Sequence, residues 1–169
     1  MATLTRRGAT VHTLGELPVV GSPLPAFTLT GTGMDDFGVE VAAGRSLVLN
    51  IFPSIDTGVC AMSVRRFNEL AAGLPDTLVL CLSADLPYAQ ARFCGAEGIG
   101  NVVTGSSFRS GFGSDYGVTM VDGTMRGLLS RAVVVADAGG TVRYTEQVPD
   151  ISSEPDYEAA LAALAALTG

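Results

Sequence analysis

The chain has 169 residues, of which 47% are hydrophobic and 16% charged, and a net charge of −7. That length fits a single domain over 1–169 and that composition can fill a core, which excludes a disordered or collagen-like chain. All ten basic residues are Arg and they are scattered, so the basic patch that nucleic acid or an anionic membrane surface requires is missing.

In chain order, turn signals dominate the first forty-five residues. Thr10–Leu14 and Phe27–Thr30 are short strand candidates, punctuated by Gly21-Ser-Pro23 and Gly31-Thr-Gly33, and suggest hairpin material. Ser46-Leu-Val-Leu-Asn-Ile-Phe52 is nearly continuously apolar, the pattern of a buried central strand. After the loop Pro53–Gly58, a helix follows with Val59, Val64, Phe67, Leu70 and Ala71 on one face. Asp56 or Thr57 is its N-cap, and Gly73 and Pro75 end it.

Thr77–Ser83 repeats the buried-strand pattern, which makes a βαβ unit with parallel pairing. Pro87–Gly95 predicts a short helix with Pro in its first turn, Val102–Thr104 a short strand, and Ser110–Tyr116 a weak helix. Arg131–Ala136 and Thr141–Glu146 flank the turn Asp137–Gly140 as a hairpin, and Glu154–Leu167 is the last helix. The fold class is α/β, in thioredoxin-like order: a central mixed sheet flanked by helices, with an N-terminal β-hairpin extension.

One His and three Cys limit the chemistry. Cys60, Cys81, Cys94 and His12 number enough for a zinc site, but no C-x-x-C or H-x-x-x-H pair seeds one, so no metal and no other cofactor is expected. The start, Met1 to Gly8, has no apolar signal-peptide region, and no stretch approaches the ~20 apolar residues of a spanning helix. A cytoplasmic location follows as the default, and there cysteines serve catalysis or packing rather than structural disulfides.

The three cysteines have different contexts. Cys60 falls in the first turn of a helix, where free amides and the helix dipole favour an anion and so a nucleophilic thiolate. The competing reading is a small apolar helix residue. Cys81 lies inside Val79-Leu-Cys-Leu82 and reads as inert core. Cys94 ends a short helix before Gly95, where fraying could release it, or it is simply half-buried. Cys60-Ala-Met-Ser63 is C-x-x-S, so a partner thiol for Cys60 must come from elsewhere.

Pro53-Ser-Ile-Asp-Thr57-Gly-Val-Cys60 matches P-x-x-x-T-x-x-C and resembles the peroxidatic motif of peroxiredoxins. The wider run Asn50–Cys60, together with Ser83–Gly98, Leu128–Val135 and Glu154–Leu161, resembles the bacterial thiol peroxidases, the atypical two-cysteine peroxiredoxins. The likeness spans about residue 8 to residue 168.

The resemblance implies roles. Cys60 is the peroxidatic thiolate and Cys94 the resolving cysteine, joined afterwards in an intramolecular Cys60–Cys94 disulfide. Thr57 places its hydroxyl against thiolate and peroxide, Arg131 holds the thiolate and polarises the O–O bond, and Pro53 shields the pocket. Without the motif, Arg131 would read as an ordinary surface cation. The resemblance further implies hydrogen peroxide and organic hydroperoxides as substrates, thioredoxin as electron donor and a homodimer. Closing a loop of roughly 35 residues favours the disulfide by at most about 4 kcal/mol. Local unfolding around both cysteines is expected to erode that gain and leave the bond readily reduced.

Gly105, Gly111 and Gly113 depart from the expected pattern and suggest a loosened segment near the pocket or dimer surface. Two other functions compete with a peroxidase. A dithiol exchanger needs the missing C-x-x-C, and a redox sensor without turnover does not need Pro53, Thr57, Cys60 and Arg131 together.

Overall fold

The computed structural model describes residues 1–167. Strands β1 (Thr3–Arg6) and β2 (Ala9–His12) form a separate antiparallel hairpin. The main sheet has seven strands in the order β4-β3-β7-β6-β5-β8-β9. Its centre is β5 (Ser46–Ile51), β6 (Thr77–Ser83) and β7 (Val103–Ser106), all parallel. Antiparallel β8 (Ala132–Ala136) and β9 (Val142–Gln147) extend one edge, and the short β3 (Leu29–Thr30) and β4 (Asp36–Phe37) the other. This is the mixed thioredoxin-like sheet with an N-terminal hairpin that the element order predicts.

The central strands are buried on both faces, which is why they read as continuous apolar runs. Period-two alternation sorts them. Leu47, Leu49, Ile51, Leu80 and Val134 enter one cluster, and Val48, Val79, Cys81, Val133 and Val135 the other. The second cluster is closed by α1 (Gly58–Ala71) and α4 (Tyr157–Leu167), with α2 (Pro87–Glu97) adding Phe93 and Cys94. None of the described helices is long and apolar enough to cross a membrane.

Several expectations change. The two early strand candidates are not partners: β2 pairs with β1, and β3 with β4 and β7. The buried face of α1 is Cys60, Ser63, Val64 and Phe67, whereas Val59, Leu70 and Ala71 are only half-buried. Gly105 and Gly113 do not loosen their segment. A Cβ at Gly113, in the short α3 (Phe112–Asp115), would overlap the Thr119 hydroxyl. One at Gly105 would press on Leu29 and Phe37. Both mark close packing that excludes a side chain.

Candidate active site

The parallel strands β5 and β6 end at the same level, and the loops that leave them meet there. Pro53 stops β5, and the chain turns through Ser54–Thr57 into α1. Thr57 occupies the N-cap position with extended backbone but makes no side-chain cap bond. Its hydroxyl instead donates to the Ser54 carbonyl at 3.1 Å, and the Thr57 amide donates to the same oxygen at 3.2 Å. The first turn of α1 is therefore not closed off by a side chain, and it carries Cys60.

Cys60 is fully buried, with Val64, Phe67 and Val133 in its cluster. Arg131, just before β8, is 2% exposed. Its Nη2 donates to Cys60 Sγ at 3.3 Å and its Nε to the Ile151 carbonyl at 3.0 Å. Its Nη1 has no hydrogen-bond partner among the described residues. None of the ion pairs among the described residues includes Arg131. A guanidinium stays charged, and burying an unpaired charge is costly, so the sulfur is placed where a counter-charge is needed. The surface-cation reading of Arg131 is thus wrong here.

A cleft of about 270 Å³ reaches this point, lined in part by Pro53, Thr57, Val59, Arg131 and Ile151. Pro53 and Thr57 therefore share one opening with the guanidinium that touches Cys60.

The other two thiols belong to or pack against the same hydrophobic cluster as Cys60 but make no contact with Arg131 among its hydrogen bonds. Cys81 is fully buried, and burial pushes its thiol up to about 12, against a weaker opposing bond from Asn50 Nδ2 at 3.6 Å. Cys94, in the last turns of α2, is half-buried, and its thiol is raised chiefly by burial, with a bond to Thr104 opposing. Among the described residues all three cysteines are free. Ser63 is fully buried and donates to the Cys60 carbonyl at 2.8 Å, so it is a structural residue and no substitute for a second thiol. Among the described residues no cluster of His, Cys, Asp or Glu is arranged to hold a metal ion.

Asp85 is a residue the sequence reading did not single out. One carboxylate oxygen accepts from Ser54 Oγ at 2.8 Å, the other from the Ile55 amide at 2.7 Å and Ser83 Oγ at 2.5 Å. It ties the loop before Cys60 to the segment that opens α2, and so to the helix bearing Cys94. Charge-assisted bonds of this kind contribute about 1.5–3 kcal/mol each. Asp85→Asn is expected to lower stability by about 1–3 kcal/mol and to cut peroxide turnover about tenfold by displacing the loop. Melting temperature and single-turnover rate are the readouts, and an unchanged rate in a destabilised variant would limit Asp85 to a structural role.

The comparisons with known proteins agree with this geometry. The Redoxin family model matches residues 19–161. A thiol peroxidase of Mycobacterium tuberculosis is 60% identical over 166 residues, covering 98% of this chain and all of that protein. One from Corynebacterium glutamicum is 54% identical, covering 97% of this chain and 99% of that protein. A peroxiredoxin-like protein of Aquifex aeolicus superposes with a TM-score of 0.93 at 34% identity, covering 99% of this chain and 98% of that one. With its P-x-x-x-T-x-x-C loop at the sheet end and a buried Arg131 on the cysteine, the chain belongs to the redoxin family, among the thiol peroxidases.

Proposed function

We propose that this chain is a thioredoxin-dependent thiol peroxidase in which Cys60 is the peroxidatic and Cys94 the resolving cysteine. The observation that carries the reading is a 2%-exposed Arg131 that, among the described residues, forms no ion pair and donates to the Cys60 sulfur. A thiolate there attacks the distal oxygen of the peroxide. The S–O bond forms and the O–O bond breaks, and the alkoxide or hydroxide leaves and takes a proton from water. Cys60 is oxidised by two electrons to the sulfenic acid, and the peroxide is reduced to alcohol or water.

Geometry supports roles for the neighbours. The Thr57 hydroxyl spends its proton on the Ser54 carbonyl, so its lone pairs are available to accept from the peroxide O–H. The unpartnered Arg131 Nη1 is a donor for the peroxide oxygens as charge develops on them. Pro53 forms cleft wall without offering an N–H of its own.

Cys94 then attacks the Cys60 sulfur. The S–S bond forms and hydroxide leaves to become water. No hydrogen bond links the two cysteines among the described residues, and burial raises the Cys94 thiol. Cys60 is fully buried and Cys94 half-buried, so resolution is expected to proceed by local opening of α2 and the first turn of α1, which lets the two sulfurs meet. A thioredoxin-type dithiol reduces the disulfide by exchange. The homodimer and the cytoplasmic location belong to the same proposal and rest on family membership.

The test is a thiol count on denatured protein before and after one equivalent of hydrogen peroxide. Three thiols are expected to fall to one, with Cys81 the survivor. Three thiols after peroxide would exclude the mechanism. In Cys94→Ser, one turnover should end in a sulfenic acid that excess peroxide drives to sulfinic acid.

A further inference from the structure

The cleft above Arg131 has a second charged feature. Its outer wall includes Arg6 and Arg7, contributed by the N-terminal hairpin. The hairpin turn is Arg7-Gly8, with φ of +49° and +82°. A left-handed backbone is unfavourable for a branched-free but long side chain such as Arg, and Asn or Gly is the usual choice there.

The hairpin is fixed to the body. Leu4 and Val11 pack with Met120 and Ile151, the Thr5 amide donates to the Pro149 carbonyl at 2.8 Å, and the Ile151 amide donates to the Thr5 carbonyl at 2.9 Å. The turn is thus held against the same segment that supplies Ile151 and Ser152 to the cleft. Arg6 Nη1 donates to Thr124 Oγ1 at 2.7 Å. Neither arginine belongs to an ion pair among the described residues, although the chain has seventeen acidic residues. The acidic side chain on the adjoining segment, Asp150, accepts from the Ser152 amide instead.

Between this cationic rim and the Arg131 floor the wall is apolar: Pro53, Val59, Met125 and Ile151. The cleft has a volume of about 270 Å³. We propose that Arg6 and Arg7 form a carboxylate subsite, so that the cleft favours hydroperoxides whose apolar skeleton ends in a carboxylate. The hydroperoxide lies against Thr57 and Arg131, the skeleton along Val59 and Met125, and the carboxylate at the rim. This rests on the peroxidase reading above and names its substrate class.

The probes are cumene hydroperoxide bearing a para-carboxylate and the methyl ester of the same compound. The readout is the ratio of kcat/KM for acid over ester, which cancels effects common to both. Two solvated charge pairs should place the wild-type ratio at about two to thirty, and the ratio should shrink with added salt. In Arg6→Gln/Arg7→Asn, with Asn chosen to suit the left-handed turn, the ratio should fall to about one. Arg7→Glu should bring it below one. A wild-type ratio of one, or a ratio the double variant leaves unchanged, overturns the subsite. Failure to reduce any peroxide overturns the peroxidase reading and the subsite with it.

Discussion

Cys60→Ser is expected to reduce peroxide turnover by more than about 10⁴-fold, to the uncatalysed background, because a serine hydroxyl is not appreciably ionised at neutral pH and is a weak nucleophile without a base. The chain's single histidine does not serve as that base: His12 is engaged by Asp122 through Nδ1 at 2.6 Å, on the hairpin. The variant should also show a second effect. Arg131 Nη2 can donate to the new oxygen as it does to sulfur, but the thiolate proposed as its counter-charge is gone, leaving a 2%-exposed guanidinium with none. Stability should drop by about 1–3 kcal/mol, measured by denaturant unfolding. Two thiols should remain after peroxide, at Cys81 and Cys94. Turnover above about one tenth of wild type would remove Cys60 from the chemistry.

Much of this site is legible before any coordinates. β5, β6 and β8 are buried on both faces, so their apolar runs are nearly continuous, Asn50 aside, and their limits agree with the structure to within a residue or two. The spacing that brings Pro53, Thr57 and Cys60 together is local, set by one loop and one helical turn. What was not legible is what depends on distant chain. β1 alternates polar residues, and only Leu4 is buried, so nothing in Thr3–Arg6 marks a strand until Val11 lies opposite. β3 and β4 are two residues each, too short for any period to be visible. Asp85 stands thirty residues from the amide it holds, and a lone carboxylate between a strand and a helix is an ordinary turn residue. Gly113 reads as flexibility in a sequence. Only the approach of Thr119 reveals that nothing larger fits.

Arg131 separates charge from geometry. Arg131→Met keeps comparable bulk but removes the donor to Cys60, the donor to the Ile151 carbonyl and the free Nη1. Loss of preorganised donors at developing charge typically costs about 10²–10³-fold in rate. The same loss is expected here in the rate of Cys60 oxidation, followed by stopped flow. Arg131→Lys retains the charge but has a single ammonium in place of the planar fork. It can serve the sulfur or the Ile151 carbonyl but not both in the present geometry, so it should recover part of the rate, about tenfold over Arg131→Met, and little of the stability. The strongest check is thermodynamic. If the Cys60 sulfur is the counter-charge of Arg131, the destabilisations caused by Cys60→Ser and Arg131→Met will not add. Removing the guanidinium relieves the penalty that Cys60→Ser creates. The double variant should be more stable than the sum predicts by about 1–3 kcal/mol, and additive values would mean that the two groups are neighbours without being a pair.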